Sequence, residues 1–199
     1  LKRLDRKRIQ DFFQRYYRPN RTIMSVVGDV SEPEIAAAFN QVFKNWSPGE
    51  ASTPPVAPGL NDSARPLRLN KDLTQANIIL GHNGEARGHP DYYAIQVMNY
   101  ILGGGGFSSR AMDSIRNERG LAYSVYSYFG AEKSHGTFQF VMQTKNENAA
   151  EAIRLAREEI RRIREEPVSE AELNDAKDYL TGSFPLRFDT NRKVAGFLG

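Results

Sequence analysis

Leu121–Phe129 (LAYSVYSYF) and Thr137–Thr144 (TFQFVMQT) decide the fold of this chain. Both stretches are rich in aromatic and β-branched residues, which fit the pleated, half-buried surface of a sheet. They read as a pair of antiparallel strands, with residues 130–136 as the loop between them. Downstream, residues 146–165 read as a long helix with Ala149, Ile153, Ala156, Ile160 and Ile163 on its buried stripe. Pro167-Val168-Ser169 breaks that helix, and Ser169 with Glu172 makes a capping box for the next one. Upstream, Gln75–Gly81 is strand-like and Asp91–Leu102 helical, with Tyr93, Val97, Tyr100 and Ile101 available for one face. The run Gly103–Gly106 then interrupts before a second helix, Ser108–Glu118. Strands with helices gathered around them indicate an α+β sandwich, its helices on one face of a mainly antiparallel sheet.

Farther out the pattern changes. Residues 47–66 hold five prolines and almost no periodicity, as a linker or an extended surface crossing does. A domain boundary falls there, giving residues 1–48, a linker over 49–66, and a second domain over 67–199. In the first part, residues 5–17 have the apolar spacing of an amphipathic helix, through Ile9, Phe12, Phe13, Tyr16 and Tyr17. Arg18-Pro19-Asn20 stops it. Ile23–Val30 reads as a buried strand, and Ser31 with Pro33 opens a helix ending around Trp46. At the other end, Arg192–Leu198 is helical. A domain opening at residue 67 wants a further strand to close its sheet, so the second domain is expected to be truncated.

The bulk composition narrows the function classes. Of 199 residues, 40% are apolar and 26% charged, which suits a soluble globular chain with a packed core. The formal charge of +3 comes from 27 basic and 24 acidic residues whose signs interleave. Arg161, Arg162 and Arg164 stand beside Glu158, Glu159, Glu165 and Glu166, as on a solvated helix face. No nucleic-acid recognition module accompanies the charge, so no nucleic-acid partner is expected. The absence of cysteine excludes disulfides and thiolate metal sites. No apolar run reaches the roughly 20 residues that span a bilayer, so no membrane span is expected. The charged opening without an initiating Met is no signal peptide, and the chain reads as cut from something longer.

Three constellations deserve a chemical reading. His82-Asn83-Gly84-Glu85 with His89 superficially resembles a metal-binding spacing. A helical zinc site needs two ligands one turn apart beside a glutamate, and Gly84, Gly88 and Pro90 argue against any helix. A polar loop at the end of a strand is expected instead, with no metal ligand. The run Gly103–Gly106 lacks the Lys-Ser/Thr of a P-loop and follows a helix rather than a strand. It reads either as a flexible break between helices or as backbone that another chain can approach closely. The third is Arg116 with Tyr123. Arg116 lies near a helix end and Tyr123 at the start of the next strand, and Gly120 lets the chain reverse between them. A guanidinium fork and a phenolic hydroxyl on one side are donors suited to a peptide carbonyl or its developing oxyanion. Composition alone also admits a surface arginine beside a half-buried tyrosine.

The string from Ile101 to Ser127 (ILGGGGFSSRAMDSIRNERGLAYSVYS) resembles the glycine-rich and Arg/Tyr segment in the second domain of pitrilysin-type peptidases. That group includes insulysin, bacterial processing-type peptidases, the mitochondrial processing peptidase and the respiratory core proteins. Phe12–Ile35 is similar to the segment closing their first domain. The Gln75-Ala76 strand opening and the Ser169–Leu180 helix also fit, so the likeness covers nearly the whole chain. It implies a two-domain half of a clam-shell peptidase, each domain a ferredoxin-like α/β sandwich. In active members the first domain carries an inverted zinc motif, His-x-x-Glu-His, which this sequence lacks. The second domain supplies an arginine and a tyrosine to the substrate, matched by Arg116 and Tyr123; Phe107 and Ser108 are further candidates for lining the chamber.

The resemblance thus implies a parent that is a bacterial zinc endopeptidase, with zinc held in the full-length parent or a partner subunit. On that reading, zinc-bound water activated by a glutamate elsewhere attacks the scissile carbonyl, while Arg116 and Tyr123 orient the peptide. The substrate would be an unstructured polypeptide bound extended against a sheet edge. The alternative is a non-catalytic subunit that completes the chamber of a zinc-bearing partner. Either way, the expected partners are the missing first-domain region and a homo- or hetero-dimer mate. The fragment itself is expected to be inactive, and the periplasm is favoured over the cytoplasm.

Overall fold

The computed structural model describes residues 4–50, 59–60 and 63–199. The chain divides into two compact units, Leu1–Val56 with Ser183–Gly199, and Ala57–Gly182. The sequence division carries residues 183–199 with the second domain; by compactness they group with the first unit. Part of the expected linker, residues 51–58 and 61–62, lies outside the described residues.

The larger unit is built on strand β3 (Thr137–Lys145). Strands β1 (Gln75–Asn83) and β2 (Ala122–Gly130) pair antiparallel on its two sides, in the order β1-β3-β2. The period of two puts Ile78, Val125, Phe138, Phe140 and Met142 on one face. That face is the core. It packs against Leu102, Ala111, Met112 and Ile115, and against Ala152, Leu155 and Ala156 of α4 (Ala149–Glu165). Val125 and Phe140 are completely buried, each worth about 1.5–3 kcal/mol in apolar transfer. Helix α3 (Tyr92–Asn99) supplies the crossover between β1 and β2, and α5 (Glu170–Gly182) follows α4. The result is an α+β fold.

The expected stripe of α4 is slightly rotated. Its fully buried positions are Ala152, Leu155, Ala156 and Glu159, while Ala149, Ile153, Ile160 and Ile163 are only partly buried around them. Glu159 tolerates burial through Arg162, whose Nη1 lies 3.2 Å from its carboxylate.

In the smaller unit, α1 (Arg6–Tyr16) begins where the Asp5 carboxylate accepts the Arg8 N–H at 2.8 Å. Ser31 is the N-cap of α2 (Glu32–Val42), as expected, and its N–H donates to the Glu34 carboxylate at 2.8 Å, a contact the sequence reading did not include. That helix stops earlier than expected, at Val42. The third helix, α6 (Asn191–Leu198), is capped by Thr190. One expectation fails here: Ile23–Val30 is neither a strand nor buried. Ile23, Met24, Val26 and Val30 are exposed, and no described residue pairs with this segment in a ladder. An apolar run signals that burial is favourable, but a strand also needs a neighbour to satisfy its backbone groups.

Candidate functional site

Helix α3 does not end at Asn99. The chain continues through Tyr100–Gly104 in a wider turn with i→i+5 hydrogen bonds, closed by Gly105 N–H to the Tyr100 carbonyl at 2.8 Å. The run is not a break, since it continues the helix, and what comes close to its backbone is a strand of this same chain where the sequence suggested another chain. The approaching strand is β2: a Cβ on Gly103 would lie 2.6 Å from the Ser127 nitrogen. Beside this contact the Ser127 hydroxyl donates to the Asn99 side-chain oxygen Oδ1 at 2.8 Å, and the Asn99 side-chain amide donates back to the Ser127 backbone carbonyl at 3.2 Å. Both side chains are buried.

Beyond the glycines, Gly106–Ser108 forms a short 3-10 turn. Gly106 sits at φ +60°, a conformation that side chains with a Cβ rarely adopt. The buried Ser109 closes the turn, its hydroxyl donating to the Gly106 carbonyl at 2.7 Å. Residues Met112–Asn117 then form a second i→i+5 segment, in place of the ordinary α-helix expected over Ser108–Glu118. Arg110, at its start, is held by a two-pronged bridge to Glu172 at 2.5 and 2.9 Å. Glu172 also accepts the Ser169 N–H at 2.9 Å and the Ser169 hydroxyl at 2.8 Å, the capping box expected for α5. The Arg110 hydrogen bonds, opposed by burial and aided by those from Ser169, hold the Glu172 carboxyl down at about 2.

Gly120, at φ +62°, reverses the chain into β2. There Ala122 pairs with Thr144 but Ser124 pairs with Gln143, so Tyr123 is an extra residue with no partner in the ladder. Such a bulge re-aims a side chain. Tyr123 is 79% exposed, and its hydroxyl has no hydrogen-bond partner among the described residues. Its ring lies beneath the Arg116 guanidinium, whose carbon is 5.2 Å from the ring centroid. The same carbon lies 4.9 Å from the centroid of Phe107, which is 73% exposed. Arg116 also directs Nη1 to the Met112 sulfur at 3.7 Å.

Arg116, Tyr123 and Phe107 therefore come together on an open surface. Ser108 is exposed at the end of its turn and has no hydrogen bond to Arg116 or Tyr123. Met112 was not singled out from sequence, although its position one turn before Arg116 is a usable signal. Arg110, Arg119, Arg154, Arg161 and Arg162 each pair with a glutamate. Arg116 has no carboxylate partner among the described residues. It is a cation with aromatic company and free N–H groups, beside a free hydroxyl. Such a set can donate to carbonyl or carboxylate oxygens.

Zinc does not fit the donors present. Among the described residues no group of three or more His, Asp or Glu side chains is placed to hold a metal ion. His82 extends β1 and lies against the Phe138 ring, while His89 is 3.9 Å from Glu85 and 3.8 Å from Asp91. No described helix is long and apolar enough to cross a membrane.

The chain as a whole is similar to known proteins. Over 191 residues, 94% of the chain is 28% identical to the uncharacterized zinc protease YmxG of Bacillus subtilis, covering 45% of that protein. A non-peptidase homolog from Helicobacter pylori is 30% identical over 179 residues, 89% of this chain and 41% of its own length. A solved peptidase M16 inactive domain from Pseudomonas fluorescens superposes with a TM-score of 0.78 at 29% identity, over 99% of this chain and 46% of that one. The chain thus spans a little under half the length of each. Residues 3–180 match the peptidase M16 inactive domain as a family. This chain belongs to the peptidase M16 inactive-domain family.

Proposed function

We propose that this chain is the substrate-orienting, non-metal part of a zinc-protease-like assembly. Residues 1–48 would close the metal-bearing domain, 49–66 link the two, and 67–199 belong to the domain that grips the peptide. The reading is carried by one observation: an arginine with no carboxylate partner, flanked by two exposed rings and next to a free phenol. The Arg116 N–H groups and the Tyr123 hydroxyl would hold the carbonyl oxygens of an extended, unstructured polypeptide. Both would be stronger donors once the surface is enclosed and water is excluded. The open surface is consistent with a chamber whose other wall comes from elsewhere in the parent or from a partner subunit. Metal chemistry is assigned to no residue of this chain.

A second reading is favoured by the Helicobacter pylori relative, whose name denies it peptidase activity. On that reading the parent completes the chamber of a zinc-bearing partner. The two separate on zinc content and peptide hydrolysis of the full-length parent, measured with Arg116→Ala and Tyr123→Phe variants. Bound zinc, with turnover falling about 100-fold or more in each variant, supports the peptidase. No zinc and no turnover, with activity appearing when a zinc-bearing partner is added, supports the subunit. Unchanged turnover in both variants removes the pair from either role.

A further inference from the structure

We infer that Phe107 is a positioning residue for Arg116, and that the turn carrying it sets this clamp. The inference rests on the peptide-orienting reading for its ligand but not for its geometry. Phe107 is 73% exposed, so apolar burial does not explain an aromatic residue there. Its ring instead faces the Arg116 guanidinium at 4.9 Å. Tyr123 meets the same cation at 5.2 Å, so the guanidinium has two ring neighbours. A guanidinium held this way keeps its N–H edge for in-plane oxygen acceptors and loses the rotational freedom of a solvated arginine.

The placement of Phe107 is determined by its neighbours. Around Gly106 a Cβ would meet nothing within 4 Å, so space does not demand glycine; the φ of +60° does. The Gly106 carbonyl accepts both the Ser109 hydroxyl, at 2.7 Å, and the Ser109 N–H, at 3.1 Å. Ser109 in turn offers its own carbonyl to the Asp113 N–H at 3.0 Å, in the segment that bears Arg116. One buried serine therefore ties the turn that aims Phe107 to the segment that aims Arg116.

The test follows arginine side-chain NMR signals of the chain, with Arg116 assigned through Arg116→Lys. Replacing so exposed a ring leaves folding within about 0.5 kcal/mol of the parent chain. The Arg116 side-chain protons are expected upfield of the other arginines, to move toward them in Phe107→Leu, and to stay upfield in Phe107→Trp. Unshifted Arg116 protons in the parent chain, or protons that ignore Phe107→Leu, overturn the inference. A second arm titrates a fluorescein-labelled unstructured peptide of Gly, Ser and Leu. Phe107→Leu is expected to weaken binding about two- to fivefold and Phe107→Trp to restore it. Equal losses in Leu and Trp variants overturn positioning, because the peptide would then be reading the shape of Phe107 directly. If Arg116→Ala leaves peptide binding unchanged, the peptide-orienting reading fails, and the Arg116 shifts alone decide the clamp.

Discussion

Glu172 serves two structures with one carboxylate: it caps the first turn of α5 through Ser169, and it receives both prongs of Arg110. Arg110 leaves Nη1 buried without a partner, so its hold on the Arg116-bearing segment depends on that single bridge. The carboxyl is depressed from its ordinary 4.5 to about 2 in the fold. A depressed carboxyl contributes stability that is fully present above the unfolded value and is lost as pH falls through the folded one. Acid unfolding should therefore show a loss of about 2 kcal/mol between pH 4.5 and 2, allowing for partial solvent screening. In Glu172→Gln that pH-dependent loss should vanish, with stability at neutral pH lower by a similar about 2 kcal/mol. Urea titrations of both proteins across that range measure it. An unaltered pH profile in the variant would assign the acid transition to another carboxylate.

At the scale of elements, the glycine run and β2 are one packing unit. A methyl at Gly103 would press on the Ser127 nitrogen and hydroxyl, each 2.6 Å away, and neither can retreat without breaking the buried exchange with Asn99. Gly103→Ala is expected to cost about 1–3 kcal/mol, read as a lower urea midpoint at unchanged slope. Sequence showed where these elements lie but not how they touch. Strands β1, β2 and β3 were legible because β-branched and aromatic residues cluster in them, and the cap of α5 because Ser169 and Glu172 have the required spacing. Arg116 and Tyr123 were legible as residue types. The widened turns over Tyr100–Gly104 and Met112–Asn117 were not, since an i→i+5 bond leaves no mark in apolar periodicity. Nor was the bulge, which depends on a partner strand. The segment Ile23–Val30 misled for the opposite reason, its apolar character being visible and its lack of a ladder not.

Across the whole molecule, the two units differ in how well their apolar residues are covered. The sheet unit has a continuous core from Ile78 to Ala156. In the other, Ile9, Phe12, Phe13, Tyr17 and Ile23 are exposed, and α1 has no buried residue. Local opening should follow that difference. Amide exchange is expected to be slowest in β3, which has a neighbour on each side, and slow in α4, with α1 and residues 23–30 exchanging first. Uniform protection across both units in the isolated chain would contradict this account. The same contrast gives the bulge in β2 a consequence for descent. Tyr123 occupies no rung of the sheet, whose pairing resumes at Ser124 whatever residue precedes it. Its side chain is thus free of the constraints that bind Val125 or Phe140. A substitution there removes a donor while the register of the ladder, set by its neighbours, is expected to persist. On the peptide-orienting reading, a member that keeps this donor and one that lacks it would share the same sheet and differ at this one position.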